Sequence, residues 1–181
     1  MGTIVIAIAS LGLLVSGAAA ELVYQAPDLE ISKTLDGDHV ILSARTPGSA
    51  EALCLVQYPA EIGTIEEAGL LGYFPRDAAI LCFRAFPKVR ERLFGGPYSS
   101  LFREVERPVR IALLTEKEWK ALPGRRPYGT VCAVRPHERR LINCRARRWT
   151  KKTMQTDFKA TVIHEMVHLM MPEKGESWVQ E

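Results

Sequence analysis

The sequence has 181 residues, of which 47% are hydrophobic, 25% charged and 8% aromatic; that balance excludes a disordered, charge-skewed chain and predicts a globular core. Its 13 glycines, 11 prolines and four cysteines also exclude collagen-like, low-complexity and disulfide-dense miniprotein classes. The formal net charge of +3 is too modest to identify a polyanion-binding protein by itself.

Met1 to Ala20 carries no acidic or basic side chain. Its apolar run from Ile4 to Val15 leads into Ser16-Gly17-Ala18-Ala19-Ala20, the pattern of a secretory signal peptide cut between Ala20 and Glu21. The basic residue usual before such a run is missing, yet the run is shorter than the ~20 residues of a spanning helix. The expectation is a signal peptide over 1–20 and a secreted or periplasmic mature protein without a later transmembrane segment.

Residues 21–104 are expected to form a mainly helical region. It opens with one strand candidate, His39-Val40-Ile41-Leu42-Ser43, entered through the turn-forming Asp36-Gly37-Asp38. Helical patterning follows at Ala52, Leu53, Leu55 and Val56, at Ala78, Ala79, Leu81, Cys82 and Phe83, and at Val89, Leu93 and Phe94. Pro75 and Pro87 are expected to divide this stretch, and Gly95-Gly96-Pro97 to end it.

Residues 105–181 begin with a second strand candidate, Val109 to Leu114. Thr115 followed by Glu118 has the form of a capping box, opening a short helix through Leu122 that Pro123-Gly124 terminates. Tyr128 to Val134 and Arg140 to Cys144 are expected to pair as a hairpin about Arg135-Pro136-His137-Glu138-Arg139, and Thr156 to Met171 reads as a long helix stopped by Pro172. The predicted class is α+β with a small, mainly antiparallel sheet.

Export places Cys54, Cys82, Cys132 and Cys144 in an oxidising compartment, where an even number favours two disulfides. The hairpin would set Cys132 opposite Cys144, leaving Cys54 with Cys82. No C-x-x-C spacing occurs, which argues against redox catalysis and zinc ribbons.

Inside the last helix stands His164-Glu165-Met166-Val167-His168, an H-E-x-x-H motif. Residues four apart share one helical face, so both imidazoles can reach one ion while Glu165 stands beside a water on it. Zn2+ suits imidazole and acidifies bound water, and a neighbouring carboxylate can then act as general base in attack on a carbonyl. Ile163, Met166, Val167 and Met170 would pack the other side on a core. A catalytic zinc commonly takes three protein ligands. The metzincin third histidine is excluded because Lys174 occupies its position, leaving Glu173, Glu176 and Glu181 as acidic candidates.

With Trp178-Val179-Gln180-Glu181 following, the motif resembles the gluzincin zinc metallopeptidases, especially short bacterial peptidase MA-like proteins, in which a W-x-x-E segment on a second helix supplies the third ligand. The resemblance covers roughly residues 105–181. It implies His164, His168 and Glu181 as zinc ligands, Glu165 as catalytic base, a peptide or protein substrate, and a zincin-like N-terminal half whose edge strand holds extended peptide. The family usually continues with Gly and further helix after the ligand Glu, whereas this sequence stops at Glu181, so the expected catalytic region is incomplete at its C-terminus. Glu176 stays open as the alternative third ligand.

Arg135, Arg139, Arg140, Arg145, Arg147, Arg148, Lys151 and Lys152 gather around a single acid, Glu138. Such a stretch is an ordinary solvated face or a dock for an anionic partner, and the second possibility defines the rival reading, a noncatalytic zinc-stabilised binding module. Trp149 alone is not the aromatic interleaving of single-strand nucleic-acid binding, and no specific nucleic-acid signal is present.

Overall fold

The computed structural model describes residues 20–62, 75–97, 99–105, 107–123, 131–134, 140–146 and 157–171. The expected signal peptide, apart from Ala20, lies outside them. Strands β1 (Glu21–Ala26), β2 (Leu29–Asp36), β3 (His39–Arg45) and β4 (Cys54–Pro59) run as an antiparallel meander. Helix α1 (Pro75–Phe94) then crosses to β5 (Val109–Leu114), which lies parallel to β4. Helix α2 (Glu116–Ala121), strands β6 (Cys132–Val134) and β7 (Leu141–Arg145) and helix α3 (Lys159–Met170) complete the order. The result is one seven-stranded mixed sheet, β1-β2-β3-β4-β5-β7-β6, in an α+β fold.

Three expectations need correction. The described part of residues 21–104 is as much sheet as helix: it supplies four strands of the sheet as well as α1, and the β4–β5 pairing joins it directly to the following region. The expected single strand before residue 47 is the third of three, because β1 is a half-exposed edge and β2 loses its apolar alternation after Ile31, with Ser32 buried and Leu35 exposed. The sheet is larger than expected, and although four of its six strand pairings are antiparallel, as expected, β5 runs parallel to both β4 and β7. Parallel neighbours require crossover connections, and here the β4-to-β5 crossover carries α1.

Residues 52–56 show why a short apolar run is ambiguous between periods. The chain there enters β4, with Cys54, Val56 and Tyr58 buried on one face and Leu55 and Gln57 half-exposed on the other. At the β2–β3 turn the register Asp36↔His39 leaves two residues in the loop, and Gly37 takes a φ of 62° at the first of them, a conformation glycine adopts at little cost.

Pro87 does not break α1, which continues from Pro75 at its first position to Phe94. A proline inside a helix removes one hydrogen bond and costs roughly 3 kcal/mol. Against that, Ala78, Ala79, Cys82, Phe83, Ala85 and Phe86 are buried along the same helix, and full burial of one large apolar side chain is worth about 1.5–3 kcal/mol. Helix α1 packs over β2, β3 and β4, and α3 packs beside it over β6 and β7. The core therefore lies between one face of the sheet and these two helices. No helix among the described residues is long and apolar enough to cross a membrane.

Both expected cysteine pairs are present. Cys54 on β4 is bonded to Cys82 on α1, and Cys132 on β6 to Cys144 directly opposite on β7. The first ties the crossover helix to the sheet across a sequence separation of 28. The chain-entropy model values a loop of that length at about 3–4 kcal/mol. Replacing Cys54 and Cys82 together by Ala should lower unfolding free energy in urea by about that amount, whereas a change below about 1 kcal/mol would show that the pair is not bonded in the native protein.

Candidate metal centre

The regular α-helix α3 begins at Lys159, preceded by a π-helical turn at Asp157 and Phe158, and the expected start at Thr156 lies outside the described residues. Just before it, the Asp157 carbonyl accepts a hydrogen bond of 2.7 Å from Thr161 Oγ1. Its C-terminal carbonyls are also held, by Met171 N–H donating to Val167 and by Arg103 N–H donating to Met170 at 2.8 Å. The buried side comprises Val162, Glu165, Met166, Leu169 and Met170; Ile163, half-buried, packs against the core as expected, and Val167 is half-buried. A stripe through 162, 166 and 169 fits the period of 3.6.

His164 and His168 lie half-buried beside that stripe. Their Nε2 atoms are 3.1 Å apart and their rings meet edge to face, with centroids 4.7 Å apart. Two Zn–N bonds of 2.0–2.1 Å at a tetrahedral angle put the nitrogens about 3.3 Å apart, so the observed span is close to that of two imidazoles on one ion. In neutral imidazoles the same span is bridged by one N–H. Among the described residues no third His, Cys, Asp or Glu joins the pair. Glu173, Glu176, Trp178 and Glu181 lie outside the described residues.

Glu165 is 8% exposed. Its Oε2 accepts a hydrogen bond of 3.0 Å from the backbone N–H of Val134, the last residue of β6 and of the sheet's outer edge. Cys132 and Val134 face Cys144 and Ile142 across the β6–β7 pair, whereas Arg145 N–H donates to the Val131 carbonyl at 2.7 Å. Because hydrogen-bonded and non-bonded pairs alternate, the N–H of Val134 points off the sheet, toward the carboxylate. This contact joins groups 31 residues apart, and nothing local in the sequence announces it.

Of the basic stretch, Arg140 and Arg145 are described and the other six members lie outside the described residues. Arg145 is paired with Glu116 at the start of α2, where Lys120 also contacts that carboxylate. Burial alone would raise the Glu116 carboxyl, but the hydrogen bond and charge of Arg145, followed by those of Lys120, outweigh it and hold the group below its usual range. The expected capping box is present: Glu118 N–H donates to Thr115 Oγ1, and Thr115 N–H to Glu118 Oε2. At the same end of the sheet His39, not singled out by the sequence, binds Asp38 through Nδ1 at 2.6 Å and lies 3.7 Å from Glu118 Oε1. The carboxylates flank opposite nitrogens of its ring, so the trio braces a turn and does not converge on a point.

Comparison with family models, with curated proteins and with solved structures gave no match to this chain.

Proposed function

We propose that this chain is an exported zinc-dependent metallopeptidase that hydrolyses peptide bonds, with Zn2+ held by His164 and His168 and with Glu165 as general base. The supporting observation is the convergence of the two Nε2 atoms to 3.1 Å beside a carboxylate one residue away in the helix. The third ligand is a carboxylate of the C-terminal segment, Glu181 by the gluzincin resemblance or Glu176 as its alternative. Two disulfides and the expected signal peptide support a secreted or periplasmic setting.

Zinc, when bound, supplies Lewis-acid polarisation and acidifies water. The remaining work falls to the chain. His164 and His168 fix the reacting position by their shared helix face. Glu165 takes the proton of the attacking water at its carboxylate and returns it to the leaving amine, as a carboxylate within hydrogen-bond reach of both can. The edge strand β6 borders the helix and offers the backbone groups along which an extended peptide would lie. An edge strand beside the histidine helix agrees with the resemblance to the gluzincins.

Metal content is the direct test. Untagged protein purified from its exported form should carry close to one zinc per chain, and His164→Ala should reduce that content by at least about tenfold, since it removes one of only three protein ligands. Absence of zinc from the wild type, or the same zinc content in the variant, would rule out the assignment. A quenched-fluorescent peptide library, run with and without chelator, tests hydrolysis on the same preparation.

A further inference from the structure

We propose that the edge strand β6 positions the general base: the Val134 N–H, held in place by the Cys132–Cys144 disulfide, fixes the orientation of the Glu165 carboxylate. This rests on the peptidase reading for its catalytic meaning, but the link itself is a property of the fold. Among the described residues strand β6 has three residues and one neighbour, β7, and so short an edge strand is weakly held by its ladder alone. The disulfide crosses the non-bonded pair two residues before Val134, fastening the strand next to the donor. Both sulfur-bearing residues are buried, at 2% and 0% exposure, on the same sheet face as α3. The donor and the acceptor therefore belong to two elements that the core and the crosslink hold together.

The carboxylate needs such a partner. Glu165 has several rotatable bonds, and a base displaced by about 1 Å from its productive geometry can lose about a hundredfold in rate. A charge-assisted bond from a backbone N–H selects one rotamer and is stronger than a neutral one. Val134 is a positioning residue here, acting through its main chain, and its side chain is not what matters.

That distinction gives the test. Val134→Pro deletes the outward N–H that meets Glu165 and spares the β6–β7 ladder, because position 134 belongs to a non-bonded pair; edge strands accept proline at such positions. Val134→Ala trims the side chain and keeps the N–H. On the best-cleaved peptide of the quenched-fluorescent library, kcat for Val134→Pro should fall at least about tenfold below that for Val134→Ala, with KM within about twofold and zinc content equal. Equal kcat in the two variants would overturn the proposal.

Amide hydrogen exchange reads the bond without activity and without a proline variant. In the wild type the Val134 amide should be protected, and Glu165→Ala should speed its exchange at least about tenfold while the Ala133 amide, paired with Asn143, stays as it was. Unchanged Val134 exchange in Glu165→Ala would show that the link does not exist. Protected Val134 that depends on Glu165, in zinc-loaded protein that cleaves no library peptide, would overturn the peptidase reading while upholding the link.

Discussion

Glu165→Gln is expected to reduce peptide hydrolysis by about two to four orders of magnitude, the usual worth of a positioned general base, while leaving zinc content and the fold intact. Gln matches Glu in size, so the packing around a residue only 8% exposed is kept. Its amide oxygen can still accept from the Val134 N–H that now binds Oε2. What disappears is the capacity to take a proton at neutral pH. The substitution also separates the two functional readings. A zinc-stabilised module that docks an anionic partner would be indifferent to Glu165, whereas the peptidase would keep its metal and lose its rate. Hydrolysis within about tenfold of the wild type would sink the mechanism, because uncharged Gln offers no general base of comparable strength.

The ion pair between Arg145 and Glu116 bears on that rival. One described member of the basic stretch is already neutralised by the chain itself, with the Glu116 carboxyl held below its usual range. Such a pair is the ordinary behaviour of a solvated charged face. It leaves less uncompensated charge for a docking surface than the sequence alone suggests.

What was legible in the sequence was local. The i, i+4 histidines needed only a helix to bring their nitrogens together, and helix α3 does so. The Thr115–Glu118 capping box spans a single turn. Cys132 and Cys144 flank one turn signal, so their pairing followed from the hairpin, and Cys54–Cys82 followed by subtraction. What failed depended on distant partners. Leu53, Leu55 and Val56 fit a helix as well as a strand until Val40 and Leu42 on one side and Ile111 on the other place β4 inside a sheet. Pro87 reads locally as a helix breaker because its local cost is fixed, whereas the buried faces of Cys82, Phe83 and Phe86 are apparent only once α1 lies on that sheet. The Val134–Glu165 bond belongs to the same class: its strand and its helix are each ordinary, and their meeting is tertiary.

Zinc is expected to raise the thermal stability of the wild type strongly and that of His164→Ala scarcely at all. A ligand that binds only the folded state adds about 4.1 kcal/mol when its free concentration is a thousand times its Kd. For a domain of 150–250 residues each kcal/mol moves Tm by about 2–4 °C, so saturating zinc should raise Tm by roughly 8–16 °C, reversed by chelator. The pair is suited to this because Nε2 atoms 3.1 Å apart are already close to the span one tetrahedral ion needs, and little reorganisation is left to oppose binding. The four cysteines are all in disulfides, so no thiolate competes for the metal in the native protein. The same measurement identifies the third ligand. Glu181→Gln should remove most of the zinc-dependent shift if the gluzincin resemblance holds for the C-terminal segment, and Glu176→Gln should remove it instead if the alternative is right, because two histidines alone leave a catalytic zinc site one protein ligand short. A shift that survives both substitutions but not His164→Ala would mean that neither carboxylate completes the site, and a shift that survives His164→Ala as well would mean that zinc binds elsewhere on the chain.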